Sequence, residues 1–111
     1  MAQSPKYHVV LCTCPDTAVA EDLAGRLVGA GLAACVNILP GVRSVYEWQG
    51  AVENDAEVLL VIKTTGERYP ELEAAIAAHH PYEVPEVLAL DVSAGLPEYL
   101  QWMDELLRRT P

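Results

Sequence analysis

The order of hydrophobic patterns along the chain predicts an α+β fold, a ferredoxin-like split βαβ sandwich with an extra C-terminal helix. Three observations predict it. Strand-type and helix-type segments follow one another as β-α-β-β-α-β-α. The second and third strand patterns flank Gln49-Gly50 and run for roughly 15 residues each, against a usual 5 or 6, which makes a long hairpin. The runs Val9-Val10-Leu11 and Val58-Leu59-Leu60-Val61-Ile62 are apolar without alternation, the pattern of strands buried on both faces.

Each element has its own signal. Tyr7 to Thr13 is β-branched and apolar, hence a strand. Asp16 is a good helix N-cap, and Ala20, Leu23, Ala24, Leu27 and Val28 then recur at helical spacing until Gly31 stops them. Ala33 to Trp48 reads as the second strand. It bends at Pro40-Gly41, because proline has no N–H to give a ladder. Gln49-Gly50 is a hairpin turn, and Ala51 to Thr65 returns as the third strand. A two-residue turn there sets Tyr46 opposite Glu53 and Val36 opposite Lys63. Pro70 suits the first turn of a helix whose buried side is Tyr69, Leu72, Ile76 and Ala77, and Pro81 ends it. Glu86 to Val92 is the fourth strand. Pro97 opens a last helix with Tyr99, Leu100, Met103, Leu106 and Leu107 on one face, and Arg108 and Arg109 suit its negative C-terminal end.

The 111 residues make one domain, 1–111, with residues 1–6 expected to be a flexible N-terminal segment. A domain of this size buries only roughly two-thirds of its unfolded surface, so self-association would help it. The formal net charge of −9 argues against nucleic acid and against an anionic membrane surface, since both need a basic face. It solubilises the chain and favours cations over anions. The start has no charged head followed by an apolar run, and no stretch is long enough to span a bilayer. Three cysteines, Cys12, Cys14 and Cys35, cannot all pair within the chain. Reduced thiols and a cytoplasmic location are the expectation.

Helices of a split βαβ unit cover one face of the sheet. The other face here is also apolar and needs a cover. Exposed apolar patches of that size are rare in monomers, so a second copy of the chain is the expected partner. Tyr46 and Trp48, on one side of the long ribbon, need a partner surface as well.

Cys12, at the end of the first strand, and His79 and His80, at the end of the second helix, are soft donors suited to copper or zinc, with Glu86 as an oxygen donor nearby. The spacing matches no zinc-finger pattern, and neighbouring helical residues point about 100° apart. Spacing therefore leaves two readings: a metal site, or one histidine at the helix end and the other in solvent. Cys12 and Cys14 share a face if the strand persists, as a redox pair or as two buried thiols. Cys35 reads as a core residue. Tyr46, Trp48, Lys63 and Tyr82 make either a small-ligand pocket at a subunit boundary or the boundary itself. No nucleophile elbow, phosphate loop or dinucleotide fingerprint occurs, and Cys12 with His79 stays an open reading as a nucleophile pair, since such partners need only be close in space.

Five segments carry a resemblance: Val-Leu-Cys-Thr-Cys-Pro-Asp at 10–16, Leu-Ala-Ala-Cys-Val-Asn-Ile at 32–38, Ser-Val-Tyr-Glu-Trp-Gln-Gly at 44–50, the strand 57–65, and His-His-Pro-Tyr-Glu-Val-Pro-Glu at 79–86. In this order they resemble the CutA family of divalent-cation tolerance proteins. The resemblance implies a homotrimer of ferredoxin-like subunits with strand pairing between them, similar in architecture to the signalling PII proteins. It implies binding of copper (Cu²⁺) or another divalent cation, with Cys12, His79 and His80 as ligands and Glu86 as a further one, and no enzymatic activity. A PII-like regulator holding a small ligand between subunits, and a scaffolding trimer, are the alternatives.

Overall fold

A computed structural model describes residues 6–108. The segment expected to be flexible, except for Lys6, lies outside the described residues, as does Arg109. Four strands, β1 (Tyr7–Cys14), β2 (Cys35–Trp48), β3 (Ala51–Thr65) and β4 (Leu88–Asp91), and three helices, α1 (Thr17–Gly29), α2 (Tyr69–His79) and α3 (Pro97–Leu107), follow the expected order. The strands form one antiparallel sheet in the order β2-β3-β1-β4.

Local chemistry sets the element ends. The Val19 amide donates to the Asp16 carboxylate at 2.8 Å, which satisfies a free donor at the start of α1. Gly31 leaves that helix at a φ of 71°, where only glycine avoids strain. Gln49 and Gly50 both have positive φ, 50° and 82°, the double left-handed turn that matches the twist of a two-residue hairpin.

The hairpin register departs from the simple count. Tyr46 does face Glu53, but Val36 faces Ile62, and Lys63 faces Cys35. The pairing slips by one residue between Leu39 and Val42, where Pro40 and Gly41 together oppose Val58 alone. Proline cannot bond the ladder and Gly41 has a φ of 85°, so the extra residue bulges there. A one-residue slip exchanges faces. The bulge thus turns Val36 and Ile38 toward the core and Cys35 away from it.

The two faces of the sheet differ. On one, Val10, Cys12, Cys14, Leu60 and Ile62 pack against Leu23 and Leu27 of α1 and Leu72 and Ile76 of α2. All have at most 1% of their surface exposed. Each such aliphatic residue contributes about 1.5–3 kcal/mol, so this layer dominates stability. Ala77, expected on the buried side of α2, is exposed, and Ala75 packs there instead.

Among the described residues, the opposite face is covered only at one end. Met103 and Leu107 of α3 close over Ala34 with Tyr7 and Leu100. Tyr7 Oη and Lys6 Nζ both donate to Asp104 at 2.8 and 3.1 Å. Arg68 Nε donates to the Leu107 carbonyl at 2.7 Å, satisfying a helix-end acceptor. Tyr99 and Leu106, expected on the buried face of α3, are 40% and 50% exposed. Leu39, Leu88 and Leu90, on the same open face of the sheet, are 42%, 57% and 51% exposed.

Candidate metal centre

The C-terminal end of β1 and the C-terminal end of α2 meet at one corner of the closed face. Alternation along β1 sends Cys12 and Cys14 to the same side. Their pairing with Leu60 and Val58 of β3, and the capped start of α1 immediately after, hold that strand end in place. The helix α2 stops at His79, and His80 takes an extended conformation (φ −78°, ψ 139°) before Pro81. That change of backbone turns His80 inward, where it is 8% exposed, and leaves His79 in solvent. The ligand atoms of Cys12, Cys14 and His80 lie within 4.8 Å of one another, and all three residues are buried.

The ring of His80 has a defined tautomer. Nε2 is 2.8 Å from the Thr13 carbonyl, an acceptor, so this nitrogen carries the proton. Nδ1 accepts from the Tyr82 amide at 3.1 Å. Whichever nitrogen takes an ion, the Tyr82 contact is lost: either its acceptor lone pair is used, or Nδ1 acquires the proton. The Tyr82 hydroxyl donates to Glu57 at 2.7 Å. The Cys12 thiol is pushed up by its hydrogen bond with Cys14, by burial and by the charges of Glu86 and Glu57, while the same hydrogen bond pulls Cys14 down. The charges of Glu86 and Glu57 at Cys12, and of Glu57 and Asp16 at Cys14, oppose a bare thiolate and attract a cation.

Of the four residues named as metal ligands from the resemblance, the structure brings together Cys12 and His80. His79 and Glu86 are exposed and stand outside the buried cluster, with Glu86 close enough to Cys12 to act on it by charge. Cys14, singled out only as a thiol sharing a face with Cys12, is the third member. The signal that identifies it is the two-residue spacing in a strand that continues past Cys12.

The four pocket residues are spread out. Lys63 bonds to Asn37 and has its ammonium 4.0 Å from the Cys35 sulfur. It borders a cleft of about 240 Å³ with Tyr7, Val9, Tyr99, Leu100 and Met103. Tyr46 bonds to Asp55 and Trp48 is 62% exposed near the hairpin tip; neither these nor Tyr82 line that cleft. Cys35, expected in the core, is half-buried beside Lys63.

The model of the CutA1 divalent ion tolerance protein family matches residues 8–106. The chain belongs to this family. A CutA1 relative from Thermus thermophilus, the divalent-cation tolerance protein CutA, is 50% identical over 98 residues, 88% of this chain and 95% of that protein. The solved CutA1 of Oryza sativa superposes with a TM-score of 0.92 at 41% identity, covering 98% of this chain and all of that one (100%). The protein from Archaeoglobus fulgidus described as periplasmic divalent cation tolerance protein CutA gives 0.90 at 35% identity, over 92% and 99% of the two chains.

Proposed function

We propose that this CutA1 chain is a homotrimeric cytoplasmic protein, not an enzyme, that binds copper or another divalent cation and serves in tolerance of such ions. The observation that carries the reading is the buried cluster of Cys12, Cys14 and His80, with three donor atoms inside 4.8 Å. Two donors on one ion sit about 3–4 Å apart, given metal–ligand bonds of about 2.0–2.3 Å, so small movements bring the three residues onto a shared metal. Thiolate with imidazole suits copper and zinc. The names of the relatives point the same way, toward divalent cations.

The same corner is poorly arranged for catalysis. Cys12 is fully buried, and the histidine beside it points its protonated nitrogen at a backbone carbonyl. No lone pair of His80 is free to take a proton from a thiol or a substrate. The assembly reading rests on the open apolar face and on the ribbon, where Val45, Trp48 and Val52 are 64%, 62% and 77% exposed. No described helix is long and apolar enough to cross a membrane.

A titration tests the binding. The wild-type chain should take up one copper ion per protomer, and Cys12→Ser should weaken binding by about tenfold or more. Equal affinity in the two proteins removes the cluster as the site. The PII-like reading keeps one foothold, the cleft beside Lys63. A metabolite that raises the melting temperature of the wild-type chain, and fails to do so in Lys63→Ala, would support it.

A further inference from the structure

We infer that Cys14 is a second sulfur ligand, and that the two-thiolate, one-imidazole donor set it completes holds the cuprous ion more tightly than Cu²⁺. The inference rests on the metal-binding reading above and names the oxidation state and donor set of the ion at that site.

Donor number and softness argue for it. Among the described residues the cluster offers two sulfurs and one nitrogen, all buried. The nearby carboxylates of Glu57 and Glu86 stand outside it, and Glu86 is exposed. A structural zinc ion takes four ligands, and Cu²⁺ favours tetragonal sets of nitrogen and oxygen. A cuprous ion accepts two or three soft donors and has no use for a hard oxygen. Three buried soft donors, closed off from water, match that requirement.

The strand geometry also separates metal binding from disulfide formation. Two residues apart in an extended strand, the Cα atoms of Cys12 and Cys14 are about 6.6 Å apart. That lies at the upper edge of the disulfide range, with both side chains standing side by side rather than facing each other. An ion does not need that approach, because it sits between the sulfurs. Binding exchanges thiol protons for the ion: each ligating cysteine releases its proton to solvent, and copper enters and leaves as Cu⁺ with no electron transfer.

The site is held ready on one side and yields on the other. Cys14 is locked by its pairing with Val58 and by the Asp16 cap that starts α1 two residues later. His80 yields, since an ion at its ring displaces the Tyr82 amide.

The experiment uses the full chain, reduced and free of oxygen, with Cu⁺ held by a chromophoric cuprous chelator as competitor. Wild type, Cys14→Ala and Cys14→Val are titrated, the last filling the buried volume without a sulfur. Each is also titrated with Cu²⁺, and copper X-ray absorption counts the sulfurs around the bound ion. The expected result is two sulfurs in wild type and one in either variant, and a Cu⁺ affinity about 100-fold lower in both variants. Cu⁺ affinity unchanged in the folded Cys14→Val protein, or a single sulfur in wild type, overturns the inference. Wild type that binds Cu²⁺ but not Cu⁺ overturns it while leaving the metal-binding reading intact; wild type that binds neither overturns both.

Discussion

The two faces of the sheet solve the same problem by different means. On the helix side, β1 and β3 meet α1 and α2, and Val10, Leu60, Ile62, Leu72 and Ile76 lose all contact with water within one chain. On the other side α3 reaches only one end, and Leu39, Leu88 and Leu90 stay 42–57% exposed. Both faces of the central strands are rich in apolar residues. What separates them is the supply of cover: two helices for one face, and one short helix for the other. A closed face makes a protomer; the open one is where we propose that copies of the chain meet. The soft donor cluster lies at the margin of the closed face, where a strand end and a helix end meet. It belongs to a single protomer and needs no neighbour to bring its three residues together.

The sharpest way to break this comparison is a cut into the closed face. Leu60→Ala removes a fully buried side chain and should cost about 2–5 kcal/mol, visible as a large fall in melting temperature. A loss below about 1 kcal/mol would mean the helix side is not the main source of stability. On the open face, Leu88→Asp should leave the circular dichroism of the protomer intact and separate the copies in sedimentation velocity. A Leu88→Asp protein that sediments like wild type would show that this face is not the seam.

Next in size comes the cluster itself. His80→Ala should weaken copper binding by about tenfold or more, and His79→Ala by less than about threefold, because only His80 turns inward. Copper should also speed hydrogen exchange at the Tyr82 amide, whose bond to His80 Nδ1 it displaces. Equal losses in the two histidine variants would place the ion outside the buried cluster.

Much of this was legible in the chain. Asp16, Gly31, Gln49-Gly50 and the proline starts of α2 and α3 mark element ends by local chemistry, and the structure has them where the sequence puts them. The slip at Pro40-Gly41 was legible as a break but not as a count. Whether a proline-glycine pair adds a bulged residue depends on the partner strand, and the answer changed the partner of Val36 from Lys63 to Ile62 and took Cys35 out of the core. At the site, the residue types were visible and their convergence was not. That His80 turns in while His79 stays out follows from where α2 stops, a choice of one residue that spacing does not decide. Cys14 joined the site because β1 runs two residues past Cys12. Ala77, Tyr99 and Leu106 lie at the margins of helical faces, where a small rotation moves a side chain between core and solvent.

The smallest effect concerns the hold on α3. Burial would raise the Asp104 carboxyl, but the hydrogen bonds from Tyr7 and Lys6 outweigh it and keep it below the usual carboxylate range. Its folded-state pKa is thus depressed, so its contribution is present above about pH 3.9 and is lost as pH falls through the lower folded value. With Lys6 exposed to solvent, which screens the pair, the contribution is small. Asp104→Asn should flatten stability against pH in that acid window, its small loss being full at neutral pH and vanishing below the window, as read by thermal melts across the range.

Native mass spectrometry of the wild-type chain with added copper tests the account most directly, because subunit number and ion number are read on the same particle. The account predicts three chains carrying three copper ions, and dilution to micromolar concentration should not release single protomers. A folded single chain as the main species, or an assembly that retains no copper, would contradict it.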